Sequence, residues 1–509
     1  MSCTSLAQEG EKDQAALIRQ ELQQMRLEYE ARIKQMETRI AELEKSKRAD
    51  PAPQPAQPAP AKAQRVPAHT HKHIASTDGS KGGLMATGVA IPDGFNFEKV
   101  TTGLTFNGYF RAGYGVNGDG DSMEAFKAPG AGSKYRLGNE TETYIETAFG
   151  YTFPGLDLSP GTEFAIHFRP AYVIATGDQN FTTDLTVREA YGSAKGVWEA
   201  QPEAEFWAGQ RFYGQMDIHM TDFFYMDMSG YGGGVENMDV GVGKLSVAWL
   251  GGNVDSLNSN ASEELNETDN KNSLDFRLSD IKLPGGEGLV WVSISQTDDL
   301  DSPNGNNVSV DASTGAAFGL GYRIPTICGG YSQTMVQYGF GSSANFRSTQ
   351  ADYSFLTLPD PGDPALMIDP DDAWHFRLTQ DLVYQPNDRW GMQATFVWDE
   401  ADIGANVNSR NSWVSGGVRG QYNINDYFSL ALEAGVDHVD GFDTPSGNLY
   451  KFTFAPQITP ARDIMSRPAL RLFVTYAMWD DSLEGYIAPN SYGMDTDGLS
   501  FGMQVEAWW

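Results

Sequence analysis

Across 509 residues there are only two cysteines, Cys3 and Cys328, so no disulfide framework holds the chain together. No run reaches about eighteen apolar residues, which excludes a transmembrane helix. The signatures of a GxSxG elbow, an HExxH zinc helix, a P-loop and a CxxC pair are missing, so the chain is read as a non-enzyme with no cofactor and no resident metal. Basic charge is also scarce, with 36 Lys+Arg against 67 Asp+Glu and a net charge of −31. Residues 1–100 hold 14 basic against 13 acidic residues, leaving 22 against 54 for the remainder. The acidity therefore belongs to the C-terminal part, and a nucleic-acid partner, which needs a basic stripe, is excluded. Solvated loops account for the acidic excess. Asp369, Asp371 and Asp372 match no calcium-loop spacing.

What the chain does have is 55 glycines, 12% aromatic residues and alternation. In the last eleven residues Leu499, Phe501, Met503, Val505, Ala507 and Trp509 share one face, and Ser500, Gly502, Gln504, Glu506 and Trp508 the other. Period two is the mark of a strand. A strand apolar on one side and polar on the other suits a barrel wall between lipid and a wet lumen, and backbone in lipid must be paired, so closure is the remaining way to span. Low mean hydropathy, −0.40, is compatible with this because alternation hides the apolar residues. Leu104, Phe106, Gly108, Phe110 and Ala112 are expected to face lipid, with Thr105, Asn107, Tyr109, Arg111 and Gly113 inward. The segments Phe428 to Asp437 and Ala469 to Met478 repeat the pattern. At roughly 22 residues per strand and turn, the region after residue 104 provides about sixteen to eighteen strands, enough to leave an aqueous channel.

Ahead of the barrel, residues 1–13 read as a signal remnant: Met1 to Gln8 lacks an apolar core, but Ser5-Leu6-Ala7 looks like the tail of a cleavage site. Lipidation of Cys3 is the weaker alternative. Residues 14–48 are rich in helix formers, and Leu22, Tyr29, Met36 and Leu43 recur every seven residues with Ile33 and Ile40 between them, predicting a short coiled coil. Arg26 interrupts the seam. Residues 49–103 form a linker, Pro/Ala-rich from Pro51 to Pro67 and Gly-rich later. His69, His71 and His73 lie in it without the carboxylate or thiolate companions of a metal site.

On the inward faces, rings stand among charges: Tyr109 beside Arg111, Tyr144 between Glu142 and Glu146, Trp508 beside Glu506. Sugars have the same dual character, with C–H faces that stack on rings and hydroxyls that bond to Arg and carboxylates. Conduction requires that each such site be weak. Ring packing in a closed barrel is the plainer reading of the same pattern.

The segments GSKYRLGNETETYIE (Gly132 to Glu146), FWAGQRFYGQMDIHMTDFFYMDMSG (Phe206 to Gly230), GGVENMDVGVGKLS (Gly233 to Ser246), SRPALRLFVTYAMWD (Ser466 to Asp480) and the closing FGMQVEAWW resemble the maltoporin family of carbohydrate-selective porins over residues 104–509. The resemblance implies an eighteen-stranded antiparallel transmembrane β-barrel, trimeric, set in outer-membrane lipid, passing oligosaccharides along a path of rings. The N-terminal helix resembles that of the sucrose-porin branch. It would place the coiled coil in the periplasm, in contact with a periplasmic or cell-wall partner.

By motif position the ring path falls on Tyr109, Tyr144, Tyr331, Trp508 and, from a neighbouring subunit, Phe181. Its polar partners fall on Arg111, Arg136, Glu146, Arg188, Asp217, His219 and Asp222, the last three on an inward-folded constriction loop. Gln215 stands where the family has Arg, Phe224 where it has Tyr at the narrowest point, and Met465 where it has Trp. These departures lower the expected affinity for long maltodextrins. A family disulfide in the first loop is replaced by Ala125 and Thr141, which predicts a looser entrance loop. Three rivals remain: a non-selective diffusion porin, a tether whose pore is incidental, and a barrel enzyme. For the last, His167, His375 and His438 have no partner legible in the sequence.

Overall fold

The computed structural model describes residues 103–153, 159–174, 184–252, 271–301, 308–349, 366–441 and 444–509. The expected signal remnant, coiled coil and nearly all of the linker lie outside them, as does Phe181. Eighteen strands form one sheet. It runs from Leu104–Asn117 through Thr143–Thr152, Glu163–Ile174 and Asp184–Lys195 to Ala469–Trp479 and Asp497–Trp508. Each strand pairs antiparallel with its neighbours in the wall, and the last returns to the first in the register Tyr109↔Trp508, Arg111↔Glu506, Gly113↔Gln504. The sheet is a closed barrel, as the lipid-facing alternation requires.

The two faces separate as the sequence predicts. Along Ala469–Trp479 buried and exposed residues alternate without a break. Leu470, Leu472, Val474, Tyr476 and Met478 look outward, with Leu472 58% exposed, while Arg471, Phe473 and Thr475 are buried inside. An outward apolar surface on this scale is a lipid contact. One end of the barrel carries tight turns, such as Pro284-Gly285 with Gly285 at φ +79°; the other carries the long connections.

The apolar core lies inside the barrel, where two of those long connections fold back. Tyr135 of the first connection fills a notch between Gly417 and Gly435, which face each other across two strands. A Cβ at either glycine would stand 2.3 Å from the Tyr135 ring, and the Tyr135 hydroxyl shares a 2.9 Å hydrogen bond with Ser415. Asn139 ties the same connection together through the backbone of Phe126 and Tyr135. Noncovalent contacts thus seat the segment in which Ala125 and Thr141 suggested looseness.

The second connection, between strands Glu205–Arg211 and Gly230–Asp239, forms a small hairpin of Met216–Ile218 with Phe223–Met226. It crosses the lumen and is held on its far side. Arg377 donates to the Tyr225 carbonyl at 2.7 Å, and Gln333 donates to the Tyr225 hydroxyl. Phe223 meets Trp413 edge-on at 5.0 Å.

Candidate functional site

Alternation on the first two strands directs four side chains to one patch of lumen wall. Arg111 pairs across the strands with Tyr144, and Tyr109 with Glu146. The two tyrosine rings are 6.1 Å apart and tilted by 57°, and the Arg111 guanidinium lies 5.0 Å from the Tyr144 centroid. Arg111 also bonds Glu142 at 2.6 Å and Asp222, on the lumen-crossing loop, at 3.2 Å. The Tyr144 hydroxyl donates to Glu146. Arg188 reaches Glu146 only at 3.8 Å and is 45% exposed, so its guanidinium faces the channel.

The hairpin supplies the opposing groups. Gln215, Asp217 and Asp222 are half-buried, and Phe224 is the exposed ring of the hairpin. Asp217 and Phe224 are register partners. Asp222 adopts φ +57°, a left-handed turn that Asp tolerates, and so reaches both Arg111 and Arg136, at 3.2 and 3.9 Å. Burial opposes its charge, but Arg136 and Arg111 outweigh it and hold its carboxyl below the usual range. Asp217 behaves in the opposite way: burial, with Asp222 and Asp381 close by, pushes it up to about 7. His219 is 3% exposed, and burial holds it well below the usual imidazole range despite Glu506.

Beneath this loop Arg136 joins the pieces. It bonds Glu140 at 2.9 Å and Glu506 at 3.1 Å, donates to the Tyr109 hydroxyl, and contacts His219 Nδ1 at 3.3 Å. Glu506 is a hub. It accepts from Tyr109 at 3.2 Å, from Arg467 Nε at 2.8 Å and from Arg471 at 3.1 Å. Trp508 stands beside it, edge-on to His219 at 5.3 Å.

Of the residues singled out from the sequence, Tyr109, Arg111, Arg136, Tyr144, Glu146, Arg188, His219, Asp222 and Trp508 are joined by this contact network. Tyr331 sits apart. Its hydroxyl donates to Asp381 at 2.7 Å, Arg323 lies 5.8 Å from its ring, and among the described residues no ring contact links it to Tyr109, Tyr144 or Trp508. Met465 lies on the connection between Thr444–Ile458 and Ala469–Trp479 that also carries Arg467, its sulfur accepting from Gln393 at 3.0 Å.

Several residues of the site were not singled out. Phe212 lies under two guanidinia, Arg169 at 5.1 Å and Arg188 at 5.2 Å, and Arg169 is fixed by Glu146 and Glu189. Arg169 was detectable as an inward position on the same strand face as His167. Arg471 lies on the inward face of the alternating Ala469 to Met478 segment, whereas Arg467, just ahead of that strand, carries no pattern of its own. His375, which looked isolated, bonds Asp399 at 3.0 Å and packs on Phe346, a wall role.

The closed wall, the polar interior and the inward loop have the form of a channel. Among solved structures, the chain is similar to OccD3 (OpdP) of Pseudomonas aeruginosa, at 10% identity, covering 80% of this chain and 92% of that one, with a TM-score of 0.40. The anion-selective porin from Comamonas acidovorans is 8% identical over 79% of this chain and 99% of that one, with a TM-score of 0.37. The outer-membrane channel DcaP of Acinetobacter baumannii is 14% identical over 80% and 97%, with a TM-score of 0.37. The model of the LamB porin family matches residues 104–509. The chain therefore belongs to the LamB porin family and is a β-barrel porin of the outer membrane.

Proposed function

We propose that this porin passes oligosaccharides, maltodextrin- or sucrose-like, by facilitated diffusion along Tyr144, Tyr109 and Trp508 towards Tyr331. Arg111, Arg136, Glu146, Arg188, Asp217, His219 and Asp222 would serve as polar partners, and Gln215, Phe224 and Met465 as the modified positions. The observation that carries this reading is the Tyr109–Tyr144 pair, 6.1 Å apart, with Arg111 over Tyr144 and Asp222 opposite. Rings offer a face to sugar C–H groups, and ionised groups in reach offer hydrogen bonds to hydroxyls. Each contact is modest, which lets release keep pace with entry.

The reading includes a homotrimer in outer-membrane lipid, with Phe181 of a neighbouring subunit contributing to the ring path. Residues 14–48 would form a periplasmic coiled coil on the 49–103 linker, touching a periplasmic or cell-wall partner. A second reading, a non-selective porin for small solutes and ions, is favoured by Phe224, which puts an apolar ring where a polar one would grip a sugar. Conductance in a planar bilayer, titrated from the long-loop side with maltotriose, sucrose and a non-sugar osmolyte, separates the two. Saturable block by one sugar, weakened by Tyr144→Ala, supports a sugar channel; conductance that no sugar blocks supports the second reading.

A further inference from the structure

Arg467, on the turn before strand Ala469–Trp479, is 5% exposed although it borders the lumen. A guanidinium has five N–H donors in one plane and no acceptor, and with His219 accepting at Nε2 all five are turned to protein partners. Nε donates to Glu506 Oε2 at 2.8 Å. Nη2 meets Glu506 Oε2 at 2.7 Å and His219 Nε2 at 2.9 Å. Nη1 donates to the carbonyls of Ser466 at 3.0 Å and Ile464 at 3.4 Å. No donor remains for a permeant. What remains is the flat face, and its central carbon lies 4.3 Å from the centroid of the Trp508 ring, the closest of the cation–ring contacts among the described residues.

We propose that Arg467 is a positioning residue that braces Trp508: its saturated guanidinium covers one face of the indole, fixes the ring plane, and leaves a single face for a permeant. The His219 ring, at 88° to the indole, closes the corner and stops the indole from swinging about its edge. Because stacking depends on a ring held in place, the brace sets how long a sugar stays at Trp508, and in that respect the inference rests on the sugar-channel reading. Its structural half does not. A lysine cannot reproduce it, since an ammonium has three donors and no planar face.

The test uses the full chain in lipid vesicles and planar bilayers. Trp508 emission is isolated by subtracting the spectrum of Trp508→Phe, and its quenching by acrylamide, a neutral probe, is compared among wild type, Arg467→Lys and Arg467→Ala. With the brace removed, the second indole face opens and quenching of the Trp508 emission roughly doubles in Arg467→Ala, with Arg467→Lys between. Residence time of the blocking sugar falls about threefold to tenfold in both variants. Wild-type quenching in an Arg467→Ala barrel that retains heat-modifiable migration overturns the brace whatever the sugars do. Should Arg467→Ala not fold, wild-type quenching in Arg467→Lys overturns it equally. Increased quenching in a channel that no sugar blocks supports the brace and overturns only the sugar reading.

Discussion

Tyr109 and Trp508 face each other directly across the seam where the first and last strands meet. The Tyr109 hydroxyl bridges Arg136 and Glu506, so this ring is bonded to the first long connection as well as to the seam. Tyr109→Phe removes one bridging hydroxyl and is expected to destabilise the barrel by about 1 kcal/mol. Glu506→Gln leaves Arg136, Arg467 and Arg471 short of their shared anion and is expected to cost about 3–5 kcal/mol. Urea unfolding in lipid vesicles measures both, and equal losses would contradict the hub.

Asp217 should make ion selectivity respond to pH near neutrality. Its carboxyl is raised to about 7 by burial and by Asp222 and Asp381, with Arg136 opposing. A raised carboxyl is neutral below that value and charged above it. The fold therefore loses stability as pH climbs from the ordinary Asp range towards 7, and the channel gains a negative charge. Cation preference, read from reversal potentials in a salt gradient, should rise between about pH 6 and about pH 8. Asp217→Asn should flatten that rise; an unchanged slope would assign it elsewhere.

The notch that holds Tyr135 has no spare room. Gly417→Ala or Gly435→Ala drives a methyl into the ring and should destabilise by about 1–3 kcal/mol. It should also free the first connection, seen as protease cleavage within residues 118–142. The same substitution at Gly416, where a Cβ meets nothing, is the control and should leave cleavage unchanged.

On the sugar-channel reading, placing at the loop the residues that the resemblance implies should tighten a sugar. Gln215→Arg with Phe224→Tyr adds a cation and a hydroxyl beside Asp217 and Asp222. Block by maltotriose is expected to strengthen about tenfold, equivalent to roughly 1.4 kcal/mol. No change would mean that these two positions do not meet the permeant.

The wall was legible because lipid outside and polar groups inside impose a period of two, which Leu499 to Trp509 display without interruption. Patterning left the strand number at about sixteen to eighteen, and resemblance brought it to the observed eighteen. The interior was less legible. Arg136, His219, Arg467 and Glu506 converge from four parts of the chain, and nothing local in Arg467 or Glu140 records that they will be bonded to partners in that cluster. The seat of Tyr135 depends on two glycines that a strand pattern marks only as weak points. Tyr331 illustrates the other limit: motif position put it on the ring path, but its separation from the other rings follows from its strand, Gly330–Phe340, lying many strands round the wall from Leu104–Asn117.

The Glu506 hub also has a bearing on the order of construction. Its carboxylate arrives with the last strand of the chain, yet it is the common anion for Arg136, Arg467 and Arg471. Without that strand, these guanidinia lack the anion they share, and the first connection loses the tie that runs through Arg136. Sealing the wall thus also brings in the anion that these three guanidinia share. A half-built sheet has no means of looking finished from within, and truncating even a few terminal residues removes the keystone along with the seam.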